Sequence, residues 1–323
     1  MNRRGSEYDV SCLVNTTEPT VVNAEINRIF HELYPTASTA EMDRAFRDLA
    51  TLYKGKYPGY HACDTAYHDI QHVLDVTLTM ARLLDGYERS RKHHAPLSPT
   101  YFTVGVITAL FHDFGYLRRR SDHQHRFGAE YTLVHVTRGS NFLRDYLPRI
   151  GLKQYAMAAS QMVHFTGYER KVDAIRLDDP VLRRVGEILG TADIVAQMSD
   201  RCYLEKCRDR LYPEFLLGGL TRRKLPGGRT VTLFNSGNDL VSKTPGFYLN
   251  AMKRLDQHLH RAYVYAEQHF GGQNLYLEEM KRNVTYAAVA ANASGSEHEL
   301  LRRKPPTTLL PSVRAYPEDL VIR

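Results

Sequence analysis

The chain has 323 residues, 43% hydrophobic and 24% charged, with 43 basic and 36 acidic residues giving a net charge of +7. Such a composition can bury a core of good size, and it excludes collagen, a disulfide scaffold and a wholly disordered chain. The moderate positive surplus suits an anionic ligand such as a phosphate ester and carries no information about fold.

In chain order, residues 1–18 lack periodicity and read as an N-terminal tail. Helical spacing then dominates from about residue 20 to about 285. Met42, Ala45, Phe46, Leu49, Leu52 and Tyr53 form one apolar face, and Ile70, Val73, Leu74, Thr77, Met80, Ala81 and Leu84 form the next. Ser98-Pro99 reads as an N-cap with proline at the first helical position, starting a helix that ends near Phe111. Residues 155–163 are a shorter apolar helix, and Asp179-Pro180 repeats the cap signal before Val181, Leu182, Val185, Ile188 and Leu189. A long helix is expected over 247–270, closed by Gly271-Gly272. Between these last two, residues 218–246 read as a loop insertion in which 229–234 could form a short hairpin strand. Residues 290–323 are rich in proline, serine and charge and read as a C-terminal tail. The expected organisation is therefore all-α, with a helical domain over 19–289 and two tails that are either flexible or packed as extended arms.

Two polar segments interrupt this apolar pattern: Tyr67-His68-Asp69-Ile70-Gln71-His72-Val73-Leu74-Asp75-Val76 and Phe111-His112-Asp113-Phe114-Gly115. On a helix His68 and His72 share a face, with Asp75 one turn beyond His72. That spacing allows one imidazole to bind a metal, the other to face substrate, and the carboxylate to support the ligand. His112 and Asp113 end a strongly apolar helix, where an unpaired carboxylate would cost several kcal/mol; Asp113 therefore needs a cation or several hydrogen bonds. Gly115 is expected to let the chain turn. Asp193, the acid in an apolar stretch from Leu189 to Ala196, invites the same argument. His125 and His164, at the ends of helical segments, are further ligand candidates. His93, His94, His123, His258, His260 and His269 read as surface residues.

The order His72, His112-Asp113, Asp193 resembles the HD superfamily of metal-dependent phosphohydrolases, over about residues 67–200. Within it, Tyr67-His68-x-x-x-His72-x-x-Asp75-Val76 resembles the opening signature of class I cyclic nucleotide phosphodiesterases. The resemblance implies an HD-type helical bundle. It implies His68 as the general acid, His72, His112, Asp113 and Asp193 as metal ligands, and Asp75 as support for His72. Tyr67, Gln197 and Phe247 are its candidates for substrate contact. One departure stands out: the family's second motif carries a further histidine where this chain has Tyr116. His125-x-x-Gly128-Ala129 resembles a segment of two-metal HD phosphohydrolases, which implies His125 and His164 as ligands of a second ion.

The expected function is a phosphodiesterase acting on a cyclic nucleotide or similar small diester. One or two ions of Mn, Fe, Ni, Zn or Mg would activate a hydroxide, with Asp113 bridging and His68 protonating the leaving oxygen. Arg118, first of three consecutive arginines, is the candidate phosphate clamp. A nucleotidase or phosphomonoesterase, and an HD-type di-iron oxygenase, are the alternatives, beside a non-catalytic module that keeps a metal for stability. The expected partner is a small phosphorylated molecule, a nucleotide by preference. No membrane or nucleic-acid partner is expected, since no apolar run reaches ~18 residues and no basic stripe interleaves with aromatics; a homo-oligomer stays open. Cys12, Cys63, Cys202 and Cys207 lack a Cys-x-x-Cys pair, and no apolar stretch follows Arg3 and Arg4. Both points indicate reduced thiols in a cytoplasmic protein.

Overall fold

The computed structural model describes residues 4–90, 95–292, 300–313 and 316. Its axis is the helix Ile70–Arg89, in which every residue from Ile70 to Glu88 is buried. A helix buried on all sides must be wrapped by others. It is the third of thirteen, and the order is α1 Pro19–Leu33, α2 Ala40–Tyr53, α3 Ile70–Arg89, α4 Pro99–Leu110, α5 His135–Tyr146, α6 Ala156–Met162, α7 Pro180–Ser199, α8 Tyr203–Lys206, α9 Tyr212–Leu217, α10 Gly237–Ser242, α11 Thr244–Gln257, α12 Tyr265–His269 and α13 Leu275–Asn292. α1, α4, α7 and α12 pack directly on α3. The described residues thus form an all-α fold, and their sheet is a small hairpin: Arg222–Lys224 antiparallel to Thr230–Thr232, with Arg223 opposite Val231. It lies inside the expected insertion, mostly exposed. None of the described helices is long and apolar enough to cross a membrane.

Caps fix where the central helices begin. Asp69 Oδ1 accepts from the His72 amide at 3.0 Å, Ser98 Oγ accepts from the Tyr101 amide, and Asp179 Oδ1 accepts from Val181 and Leu182. Each satisfies amides that a helix leaves without partners. The Tyr101 hydroxyl also donates to Asp179 Oδ2 at 2.6 Å, tying the starts of α4 and α7 together.

The expected long helix over 247–270 is two helices. His260 and Arg261 break it, with φ of 47° and 57° in the left-handed region. The reason is packing. α11 lies against α10 and α13, whereas α12 turns onto α3. The approach to α3 is close: a Cβ at Gly86 would stand 1.8 Å from the Tyr265 carbonyl oxygen. Gly271 and Gly272 do close the segment, with φ of 71° and 110°.

Both tails are packed where they are described. Val10, Val14 and Leu301 belong to the apolar core. Arg82, 2% exposed on α3, holds the N-terminal arm through Asp9, whose Oδ2 is 2.6 Å from Nη1. Asp9 also accepts from the amides of Ser11, Leu13 and Val14, and Arg82 reaches the Tyr276 hydroxyl on α13. On the other side, the Arg210 guanidinium donates to the carbonyls of Pro305 and Pro306. The Thr308 hydroxyl donates to Asp69 Oδ2 at 2.5 Å. His93 and His94 lie outside the described residues.

The Asp9–Arg82 pair generates a stability prediction. Burial pushes the Asp9 carboxyl up, but Arg82 and the amide donors outweigh it and hold the carboxyl below its ordinary value. The stabilisation is present above the ordinary carboxylate range and is lost as pH falls through the depressed folded value. Arg82→Met alone leaves a buried carboxylate uncompensated and should cost about 3–5 kcal/mol in urea denaturation, most of which Asp9→Leu added to Arg82→Met should restore. A cost under ~1 kcal/mol for the single change would contradict a fastening role for the pair.

Candidate metal centre and cavity

Three buried helix segments meet at one point. α3 delivers His72 from its first turn, the end of α4 delivers His112 and Asp113, and α7 delivers Asp193 from mid-helix. His72 Nε2 lies 3.2 Å from Asp113 Oδ2 and 3.6 Å from Asp193 Oδ1. His112 Nε2 lies 3.2 and 3.8 Å from the same two oxygens. An ion roughly 2.0–2.2 Å from each ligand sets neighbouring ligand atoms about 3–3.5 Å apart, close to this spread. His72, His112 and Asp113 form a buried group whose ligand atoms lie within 4.8 Å of one another. His112 Nε2 and Asp113 Oδ2 are fully buried and complete no aligned hydrogen bond. Orphaned buried polar atoms facing each other are what a cation would satisfy.

The ring orientations are set from behind. His112 Nδ1–H donates to the Ala109 carbonyl at 2.7 Å, which leaves Nε2 as a bare lone pair toward the cluster. The local field is anionic. Burial works to neutralise His112, yet Asp113 and Asp193 push its pKa up to about 9. Asp113 is held well below the carboxylate range, with its burial outweighed by His112 and His68. A field that draws a proton onto a buried imidazole also draws a metal ion.

With His112 buried behind them, His72, Asp113 and Asp193 of the cluster line a cavity of about 530 Å³. His68, 15% exposed in its side chain, lines it and hands Nδ1 to Glu214 Oε2 at 2.5 Å. Glu214 is fully buried at the start of α9, and its other oxygen accepts from the Tyr67 amide at 2.6 Å. His68 Nε2 is therefore the nitrogen left for the cavity. Burial lowers the His68 pKa, but Glu214 and Asp113 raise it more, and the net shift is upward. Tyr116, in the place of the family's extra histidine, stacks between His68 at 4.3 Å and His135 at 4.4 Å.

His135 was not legible as a ligand in the sequence. It opens α5, and its Nδ1–H donates to the Thr132 carbonyl at 2.6 Å. Its Nε2 then faces Asp113 Oδ1 at 3.7 Å. The two carboxylate oxygens of Asp113 thus face different imidazoles, Oδ2 toward His72 and His112, Oδ1 toward His135. Burial pushes the His135 pKa down, favouring the neutral ring that ligation needs. Gly115 makes the approach possible. Its φ is not positive, contrary to a turn-making role. A Cβ there would stand 1.9 Å from the His135 carbonyl oxygen, and Arg138 then pins α5 to the carbonyls of Gly115 and Leu117.

Several expected residues sit elsewhere. His125 is drawn outward, its Nδ1 2.9 Å from Asp122 and its side chain 34% exposed. His164 is buried behind the cavity wall, with Nδ1 2.6 Å from Glu169, so it positions a lining carboxylate and does not join the cluster. Arg118 pairs with Asp64 at 2.8 Å and is not a lining residue, which removes it as a phosphate clamp. Asp75 makes no hydrogen bond to His72. Its Oδ1 is orphaned, and burial, then the nearby Asp200, pushes its pKa up to about 7. Tyr67, Gln197 and Phe247 do line the cavity, and the Tyr67 hydroxyl donates to Gln197 Oε1 at 3.2 Å. Glu214 is absent from the sequence-based expectations, although a lone acid in Tyr212-Pro213-Glu214-Phe215-Leu216 carries the signal that singled out Asp193.

The chain matches no family model, no curated protein and no solved structure.

Metal content read by elemental analysis after dialysis against Mn²⁺ checks the cluster. His72→Ala and Asp113→Asn should each lower bound metal at least about tenfold in affinity. His135→Ala should lower the ratio of metal to protein where two ions bind, and His125→Ala should leave it unchanged. Loss of metal on His125→Ala with retention on His135→Ala would reverse the assignment.

Proposed function

We propose that the chain is a metal-dependent hydrolase of the HD type that cleaves small phosphodiesters. The observation that carries this reading is His68. Its Nδ1 is locked on the buried Glu214, and it lines the same cavity as His72, Asp113 and Asp193 of the cluster. A metal held for stability alone has no need of a further imidazole, held by a buried carboxylate and lining a cavity.

The donor set fits a divalent ion: two imidazole nitrogens and two carboxylate oxygens suit Mn, Fe, Ni or Zn, and Mg less well. Bound there, the ion would supply Lewis acidity at the phosphoryl group and activate water at neutral pH. The protein supplies the rest. His72, His112, Asp113 and Asp193 hold the cation, and the Asp113 oxygen that faces His135 favours a two-ion form of the site. His68 donates the proton that the departing alkoxide needs, and Glu214 keeps the acidic proton on Nε2 by occupying Nδ1. Tyr116 sets the plane of His68 by stacking, and Gln197, braced by Tyr67, is placed to contact the substrate.

A phosphodiester with a poor leaving group gains most from a general acid. This favours a diesterase over a phosphomonoesterase, and over an oxygenase, which has no leaving alkoxide to protonate. The sequence-based expectation of a cyclic nucleotide belongs to this class. The free cysteines, three of them buried, suit a reducing compartment such as the cytoplasm.

With dibenzyl phosphate as probe, whose departing alkoxide is a poor leaving group, His68→Gln should keep its metal and lose kcat by about 10²–10⁴. Glu214→Gln should lose about 10–100-fold, also without metal loss. A His68 variant that loses its metal, or turns over at the full rate, would sink the general-acid assignment.

A further inference from the structure

We propose that the substrate carries a bulky apolar alcohol on its single phosphate, and that this group lies along the wall built by residues 203–247. The inference rests on the hydrolase reading above and narrows its substrate class away from polar nucleotides. The cavity lining is of two chemical kinds. The charged and titratable part comprises His72, Asp113 and Asp193 of the metal centre with His68, His135 and Glu169. The apolar part of the lining, Cys207, Leu211, Phe215, Leu220, Phe234 and Phe247, comes instead from the stretch 207–247. Four of these, Leu211, Phe215, Leu220 and Phe234, are half-buried, and the rings of Phe215 and Phe234, tilted together at 5.8 Å, both border the cavity.

Charge on this wall is already committed. Lys243 is its cation, and Nζ donates to the Leu233 carbonyl at 2.6 Å and to Asp239 Oδ2 at 2.9 Å. A second or third phosphate would find no spare positive group there, and the Arg118–Arg120 and Arg222–Lys224 clusters are not lining residues. Two of the lining hydroxyls are committed as well: Thr132 donates to the Ala129 carbonyl and Thr166 to the Val163 carbonyl. Reading the edge of a nucleobase needs directed donors and acceptors, and this wall offers a surface of rings and aliphatic carbons instead. The mouth continues the pattern. Leu133, Tyr168 and Phe247 line it while 68%, 67% and 37% exposed. Large apolar side chains gathered at the rim of a cavity mark a binding surface.

In the reaction this implies, water adds its oxygen to phosphorus as one P–O bond to an alcohol breaks. The departing alkoxide takes its proton from His68, and the products are one alcohol and one phosphomonoester.

Two measurements on the full Mn²⁺-loaded chain separate this inference from the reading beneath it. Turnover of methyl p-nitrophenyl phosphate tests the hydrolase. Calorimetric binding of dimethyl phosphate against diphenyl phosphate, read in the Mn²⁺-loaded His68→Gln chain so that hydrolysis is slowed, tests the wall. Diphenyl phosphate should bind at least about tenfold more tightly, from the apolar area it buries. Phe234→Ala should cut that preference to about threefold or less. Phe247→Ser at the exposed rim should reduce it in a variant that leaves the core untouched. Equal affinity for the two diesters, or tighter binding of 3′,5′-cyclic adenosine monophosphate than of diphenyl phosphate, overturns the apolar-alcohol proposal even if turnover is present. Absence of turnover with the binding preference intact overturns the hydrolase reading and leaves the preference of the wall standing.

Discussion

A carboxylate that is 4% exposed, flanked by two imidazole nitrogens each 3.2 Å from the same oxygen, is the constraint on which the rest of this molecule is built. Leaving Asp113 ionised and uncompensated inside a helical core would consume several kcal/mol of a stability that amounts to only about 5–15 kcal/mol. The fold answers by converging three helices on that point. α3 is buried along its whole length, and caps at Asp69, Ser98 and Asp179 fix the starts of the three helices concerned. The rings are then turned by backbone carbonyls, Ala109 behind His112 and Thr132 behind His135, so that their bare nitrogens face inward. Cation binding and core packing are thereby the same geometric problem.

Around that centre the chain is fastened from outside. The segment carrying Tyr67, His68 and His72 is held at several points. Glu214 accepts from the Tyr67 amide and from His68. Asp69 Oδ1 caps the His72 amide while its Oδ2 accepts from Thr308 of the C-terminal arm. Tyr316 meets the Ala66 amide and Glu214, each at 3.4 Å. The arms that looked like tails therefore brace the residues that would do the chemistry. Local opening of such a segment is suppressed by contacts made far along the chain.

Much of this was readable from residues alone, for reasons of local physics. Helical spacing marked α2, α3, α4 and α7, and the cap residues Ser98 and Asp179 announced the starts of two of them. Titratable groups at the inner faces of apolar helices marked His72, His112, Asp113 and Asp193, which the structure brings together. What was not readable depended on tertiary contact. His135 opens a helix of weak apolar pattern and is identified only by its distance to Asp113. His125 had a suggestive neighbourhood, but Asp122, three residues earlier, captures its ring locally. Arg118 was close in sequence to the His-Asp pair, yet Asp64 claims its guanidinium. Asp75 sat at the right helical spacing, but it turns toward Asp200 and the N-terminal arm. Helical spacing also continued through residues 258–261, where the need of α11 and α12 to reach different neighbours overrode it.

The most direct test of the account is anomalous diffraction from a crystal of the full chain equilibrated with Mn²⁺ or Zn²⁺. The account predicts a peak roughly 2.0–2.3 Å from His72 Nε2, His112 Nε2, Asp113 Oδ2 and Asp193 Oδ1 together. A saturated crystal with no peak between those four atoms, or with its ion bound elsewhere in the cavity, would contradict it.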